Sequence, residues 1–175
     1  MFCTTVEINK KMNLKDIRKK RERIIFEEVS QEKISLKEII EFEEKYKIKI
    51  LEQYLNFLLQ YNGINIEVGQ FIPPDNDNDL ISLVHFSNLK YSEVGTSDDG
   101  FSDDGCNVLL PKGFLTIADT FSGHSEILIS IEANANYGKI FYNIDRQEEW
   151  TYLLNNSFEE FLNNSIPEYE NEFHH

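Results

Sequence analysis

The 175-residue sequence predicts an α+β domain, a mainly antiparallel sheet flanked by N-terminal helices and a C-terminal helix. Three observations carry that prediction. Apolar residues recur at helical spacing up to Tyr61, the period changes to two from Ile64 onward, and a capped helical pattern closes the chain.

Residues 13–29 place Leu14, Ile17, Ile24, Ile25 and Val29 on one side and Lys15, Arg18, Lys19, Lys20, Arg21 and Arg23 mostly on the other, an amphipathic first helix. Asp16 and Glu22 interrupt its basic run, which reads as a solvated face rather than an RNA or membrane contact. A second helix begins at Ser35, whose hydroxyl and the Glu38 carboxylate can cap each other's backbone amides. Leu36, Ile39, Ile40 and Phe42 are expected to supply much of its buried face. The third helix, Glu52 to Tyr61, carries Tyr54, Phe57, Leu58 and Tyr61 as one stripe and ends at Asn62-Gly63, where glycine can take the left-handed conformation.

Strands are expected at 64–68, 80–86, 114–118, 126–132 and 139–144, the last two forming a hairpin through Ala133-Asn134-Ala135-Asn136-Tyr137-Gly138. Ser157-Phe158-Glu159-Glu160 opens the closing helix, and Pro167 stops it. Residues 1–33 form a basic helical extension, 34–166 the domain and 167–175 a tail, in which His174 and His175 look like a tag remnant.

The net charge of −14 is unevenly placed. Residues 1–50 hold 13 Lys/Arg against 10 Asp/Glu, and the remainder holds 4 against 21. A body at −17 disfavours direct nucleic-acid binding, and its charge either attracts basic partners, raising encounter rates by about 10 to 1,000-fold at low salt, or serves solubility alone. Cys3 and Cys106 offer no disulfide framework, no secretory signal opens the chain, and no segment approaches the roughly 18 apolar residues of a membrane span, so a cytoplasmic location is expected.

The sequence assembles no metal or catalytic centre, and no cofactor is expected. Asp75, Asp77 and Asp79 alternate as in a calcium loop, but Leu80 stands where the turn needs Gly and Phe86 where a bidentate Glu is required. Asp98, Asp99, Asp103 and Asp104, in Ser-Asp-Asp-Gly written twice, have the composition of a hydrated turn. His85 reads as a packed histidine in an apolar strand, His124 as part of a turn, and Cys106 has no local nucleophile signature. Walker, dinucleotide, Cys-x-x-Cys and His-Glu-x-x-His motifs are missing.

Three stretches together resemble the SUKH superfamily, which includes the fungal Smi/Knr regulator and bacterial immunity proteins. They are Ile39 to Gly63 ending in Gln53-Tyr54-Leu55-Asn56-Phe57-Leu58-Leu59-Gln60-Tyr61-Asn62-Gly63; Phe114 to Asp119 with Gly123, Ile127 to Ile131 and Tyr137-Gly138-Lys139-Ile140-Phe141-Tyr142; and Asn156-Ser157-Phe158-Glu159-Glu160-Phe161-Leu162. The likeness spans about residues 34 to 164. Leu51 departs from a common Pro, and Ile64 from a second Gly.

The resemblance implies a non-enzymatic immunity protein that occludes a cognate protein toxin, a nuclease or other nucleic-acid-directed effector. The acidic body fits a basic partner, with Asp75, Asp77, Asp79, Asp98, Asp99, Asp103 and Asp104 as contacts and Phe101 as an aromatic anchor. The alternative is an intracellular scaffold of the Smi/Knr type.

Overall fold

The computed structural model describes residues 33–71, 81–96 and 110–164, together with 25–26; at 25–26 and 67–68 only the backbone is described. The elements in chain order are β1 (Ile25–Phe26), α1 (Leu36–Tyr46), α2 (Glu52–Tyr61), β2 (Ile66–Val68), β3 (Gln70–Phe71), β4 (Ile81–Phe86), β5 (Phe114–Thr120), β6 (Ser125–Ser130), β7 (Ile140–Ile144), β8 (Thr151–Asn155) and α3 (Phe158–Asn164). Strands β3 to β8 form a six-stranded antiparallel sheet, each pairing with its chain neighbour, while β1 and β2 make a separate antiparallel pair. Irregular register at Leu83/His85, Thr116/Ala118 and Ile140/Phe141 gives the sheet local kinks that curl it.

The expected α+β order is the one observed. Ser35 caps α1 through the reciprocal box: the Glu38 amide donates to Ser35 Oγ at 3.3 Å, and the Ser35 amide donates to Glu38 Oε2 at 2.8 Å. The same residue types open α3, where the Glu160 amide donates to Ser157 Oγ at 3.1 Å. Leu51, the residue that departs from the family's Pro, precedes α2 without a side-chain cap. Ile64, the second departure, is buried and accepts from the Phe86 amide at 2.9 Å, so its side chain enters the core where Gly would leave space.

The core lies between α2 and α3 on one side and the sheet on the other. Tyr54, Phe57 and Leu58 of α2 meet Phe158, Phe161 and Leu162 of α3 over Leu115, Ile117, Ile127, Ile129 and Ile140. Phe57 stands 4.7 Å from Phe86 and 5.1 Å from Phe158 between ring centroids, in the tilted and edge-on arrangements aromatic quadrupoles favour.

Four features correct the sequence reading. Ile25 and Phe26, placed within the first helix, have extended backbone paired with Val68 and Ile66; β-branched and aromatic residues suit that pairing. The rest of that helix lies outside the described residues. Leu36 and Ile40 are 52% and 42% exposed, because α1 buries only the Ile39 and Glu43 edge, with Phe42 partly covered. In the β6–β7 connection only Gly138 takes a positive φ; Asn134 instead accepts the Asn136 amide on its side chain at 2.8 Å, an Asx turn. Strands β3 and β8 had no counterpart in the sequence reading.

The Asn62-Gly63 pair does more than end α2. Asn62 Oδ1 accepts the buried Leu89 amide at 2.9 Å, and Gly63, at φ +77°, lies so close to Asn88 that a Cβ would fall 2.8 Å from that residue's Cβ. Asn62→Ala is therefore expected to cost about 1–3 kcal/mol by orphaning that amide. Chemical denaturation would show this as a lower midpoint at unchanged slope, and a midpoint equal to wild type would contradict the linkage.

Candidate partner-binding surface

Register divides the sheet into two ends. Strand β5 runs from Phe114 to Thr120, a span of about 20 Å at 3.4 Å per residue. The far end, at Thr120, carries the β5–β6 turn, the β7–β8 connection and the stem of loop 72–80, since Phe71 pairs with Ile81 and the Phe121 amide donates to the Ser82 carbonyl. The near end, at Phe114, carries the β6–β7 connection and the stem of loop 97–109, since the Gly113 amide donates to the Gly95 carbonyl at 3.1 Å. Gly95 also touches the Pro111 carbonyl so closely that a Cβ there would lie 1.8 Å from it.

All eight sequence-predicted contacts lie outside the described residues: Asp75, Asp77 and Asp79 in loop 72–80, and Asp98, Asp99, Phe101, Asp103 and Asp104 in loop 97–109. Their stems stand at opposite ends of the sheet.

Facing away from the helices, one polar row crosses five strands: His85, Asp119, Glu126, Asn143 and Thr151 are register neighbours. His85 is not the packed histidine its strand suggested. The irregular register at Leu83/His85 puts it opposite Asp119, its side chain is 39% exposed, and Nε2 lies 2.9 Å from Asp119 Oδ2. The hydrogen bond to Asp119 raises the His85 pKa above its usual 6.5, against the opposing effect of partial burial. In the same row Asn143 donates to Thr151 Oγ1 at 2.7 Å.

Arg146 closes over this row. Its Nη1 and Nη2 donate to the two Glu93 oxygens at 2.7 and 2.9 Å, while Nε and Nη2 donate to Glu126 Oε1 at 3.0 and 2.7 Å. Partial burial works against the guanidinium charge, and the bonds to Glu93 and Glu126 more than offset it. Asp145 and Arg146 both have positive φ, 51° and 59°, at the centre of a β-turn closed by the Gln147 amide donating to the Ile144 carbonyl at 3.2 Å, at the start of the β7–β8 connection.

At the far end the sequence reading missed the most exposed aromatic among the described residues. Phe121 is 84% exposed at the β5–β6 turn, and Trp150 is 39% exposed in the β7–β8 connection. Beneath Phe121 the hydroxyls of Thr120, Ser122 and Ser125 lie within 2.6 to 2.9 Å of one another. His124 occupies the same turn, as expected, and its Nδ1 stands 3.5 Å from Asp145 Oδ1. Among the described residues no group of three or more His, Cys, Asp or Glu could hold a metal ion, and no helix is long and apolar enough to cross a membrane.

The SUKH_6 family model, described as SMI1-KNR4 cell-wall, matches residues 36–162. The chain belongs to the SUKH superfamily. No curated protein and no solved structure gives a significant match. SUKH domains are generally non-catalytic immunity or regulatory domains that bind partner proteins, which agrees with a site made of charge and exposed apolar surface. The Phe121 signal was legible in part: an aromatic beside Ser122-Gly123 sits where a hairpin tip holds its side chain off the sheet.

Because the folded pKa of His85 exceeds the unfolded value, its pair with Asp119 contributes fully below about pH 6.5 and is lost as pH rises through the raised folded value. Denaturation midpoints should thus fall across that window in wild type and fall less in His85→Gln. An NMR titration should place the His85 midpoint above 6.5 and lower it in Asp119→Asn; an unmoved midpoint would remove the pair as the cause.

Proposed function

We propose that this SUKH domain is a cytoplasmic immunity protein that binds and occludes a basic protein toxin, a nuclease or other nucleic-acid-directed effector. Family membership supports a partner-binding role. The observation that carries the choice of partner is the far end of the sheet in a chain of net charge −14. There Phe121 projects from a hydroxyl-braced turn, in a region that also holds Asp119, Glu126, Asp145, Glu148 and Glu149.

A basic groove shaped for a phosphate backbone matches that surface in charge, and an apolar recess within it would seat the ring. Charge speeds encounter, whereas a desolvated aromatic slows release. The stems of segments 72–80 and 97–109 stand at the two ends, and in this proposal Asp75, Asp77, Asp79, Asp98, Asp99, Asp103 and Asp104 remain charged contacts and Phe101 a second aromatic contact. An interface of standard size, about 800 Å² per partner, is roughly 30 Å across and reaches both stems.

Co-expression with a toxin encoded beside the gene tests this reading, scored by survival and copurification. Rescue with a stable complex is expected. In that complex, Phe121→Ala should raise the dissociation rate by about 30-fold or more, the loss of roughly 2 kcal/mol typical of a buried anchor. Reversing Asp98, Asp99, Asp103 and Asp104 should instead slow association at low salt and leave dissociation nearly unchanged. Neither rescue nor complex would move the assignment to a scaffold that holds a different protein.

A further inference from the structure

At the near end the same acidic chain presents a basic groove. A volume of about 1050 Å³ opens between the α1–α2 connection and the start of β5 with the β6–β7 connection, and Lys47, Lys49 and Lys112 line it beside Ile48, Ile131 and Tyr137. Only four Lys or Arg residues follow position 50, and Lys112 is one of them. Lys47 and Lys49 come from one short segment of the net-positive first fifty residues, and the fold brings Lys112 to them from the acidic remainder.

The walls are fixed from within. Glu43, 5% exposed, accepts the Ile50 amide on Oε1 at 2.8 Å and the Lys49 ammonium on Oε2, which holds the 47–50 segment in one shape. The Tyr137 hydroxyl donates to the Lys49 carbonyl at 3.2 Å and ties the opposite wall to it. Gly113, at φ +82°, lets the Glu132 side chain lie where a Cβ would stand, 2.3 Å from its Cγ, and Asn134 holds the Glu132 carboxylate at 2.7 Å. The one carboxylate in the lining is thereby engaged by its own wall.

We infer that this groove binds an acidic, extended segment of a second protein partner, its carboxylates on Lys47 and Lys112 and an apolar side chain between them on Ile48, Ile131 and Tyr137. Charge complementarity chooses the occupant. An ammonium carries three donors, so a lysine already bonded within the chain still has donors to offer. A few residues of extended chain fill a concavity of this size, at the upper end of ordinary ligand sites. The groove borders the 97–109 stem through Lys112 and Gly113 but lies at the other end of β5 from Phe121, and its occupant is not inferred from the toxin reading, so either proposal can fail alone.

The test is fluorescence anisotropy with a labelled peptide, Glu-Asp-Leu-Glu-Tyr-Asp-Glu-Leu, against its counterpart with Gln and Asn at the acidic positions. Saturable micromolar binding of the acidic peptide alone is expected, weakened at least tenfold by Lys47→Asn with Lys112→Gln and unchanged by Phe121→Ala. Asn suits the left-handed backbone of Lys47, φ 55°, and Lys49 is left in place because it pairs with buried Glu43, so the variant should fold. No saturation below about 1 mM, or equal binding by the variant, would overturn the proposal. So would tighter binding of a single-stranded oligonucleotide. Binding only after Asp98, Asp99, Asp103 and Asp104 are neutralised would mean that the groove serves the chain's own loop, and would equally overturn it.

Discussion

The fold depends on one interlock of aromatic rings. Phe57 touches Tyr61 on its own helix, Phe86 on β4 and Phe158 on α3, so a single side chain joins three elements far apart in sequence. Phe158 in turn meets Tyr54 and Phe86, and Phe161 meets Phe71 and Phe86. Each helix therefore buries part of its apolar stripe against the other and part against the sheet, and the three surfaces are completed together. A helix of seven residues such as α3 has little stability alone and is held by this packing. The consequence for function is a sheet with one face committed to helices and the other divided between a small apolar cluster, Leu110, Leu128 and Phe141 with Phe114 against them, and a row of polar and charged residues toward the Thr120 end.

What the sequence made legible follows from this division. Local chemistry was readable: Ser35 with Glu38, Ser157 with Glu160 and Gly63 each announce a backbone event within four residues of themselves. Strand β8 was hidden because Tyr152, Leu153 and Leu154 are all apolar, so no period of two shows, although Leu153 is exposed and its neighbours are partly covered. Leu36 and Ile40 misled for the opposite reason. They obey the helical period, yet the stripe that packs is the one through Ile39 and Glu43, and a buried carboxylate is not anticipated from a hydropathy pattern. The site was less legible still, because its parts meet through register: Arg146 and Glu93 are 53 residues apart, and nothing local to either names the other.

Arg146 shows how strain and charge are balanced on the exposed face. Left-handed backbone costs a non-glycine residue roughly 1–2 kcal/mol, and two such residues stand together at Asp145 and Arg146. Glycine would fit that turn better, but would leave Glu93 and Glu126 facing each other without a cation. The guanidinium offers a planar fork to two carboxylates at once, which a lysine at the same place would not reproduce. The turn thus fixes a cation among acids, lowering local repulsion without cancelling the negative field beyond it.

That balance bears on how an acidic domain can hold a partner for long. Between exposed charges, attraction is screened within about 8 Å at physiological salt, so a net charge of −14 brings a basic partner close without keeping it. Retention requires apolar surface that gains by leaving water and loses little freedom in doing so. Phe121 meets both conditions: its ring is almost wholly solvated, and the hydroxyls of Thr120, Ser122 and Ser125 bond to one another beneath it, so the turn that carries it is braced before a partner arrives. A flexible tip with the same ring would recover the same area but would have to be ordered at the moment of contact. In the proposed reading, rigid anchor and diffuse field therefore act on different rates, release and encounter, so that specificity for one partner would reside in the anchor rather than in the field.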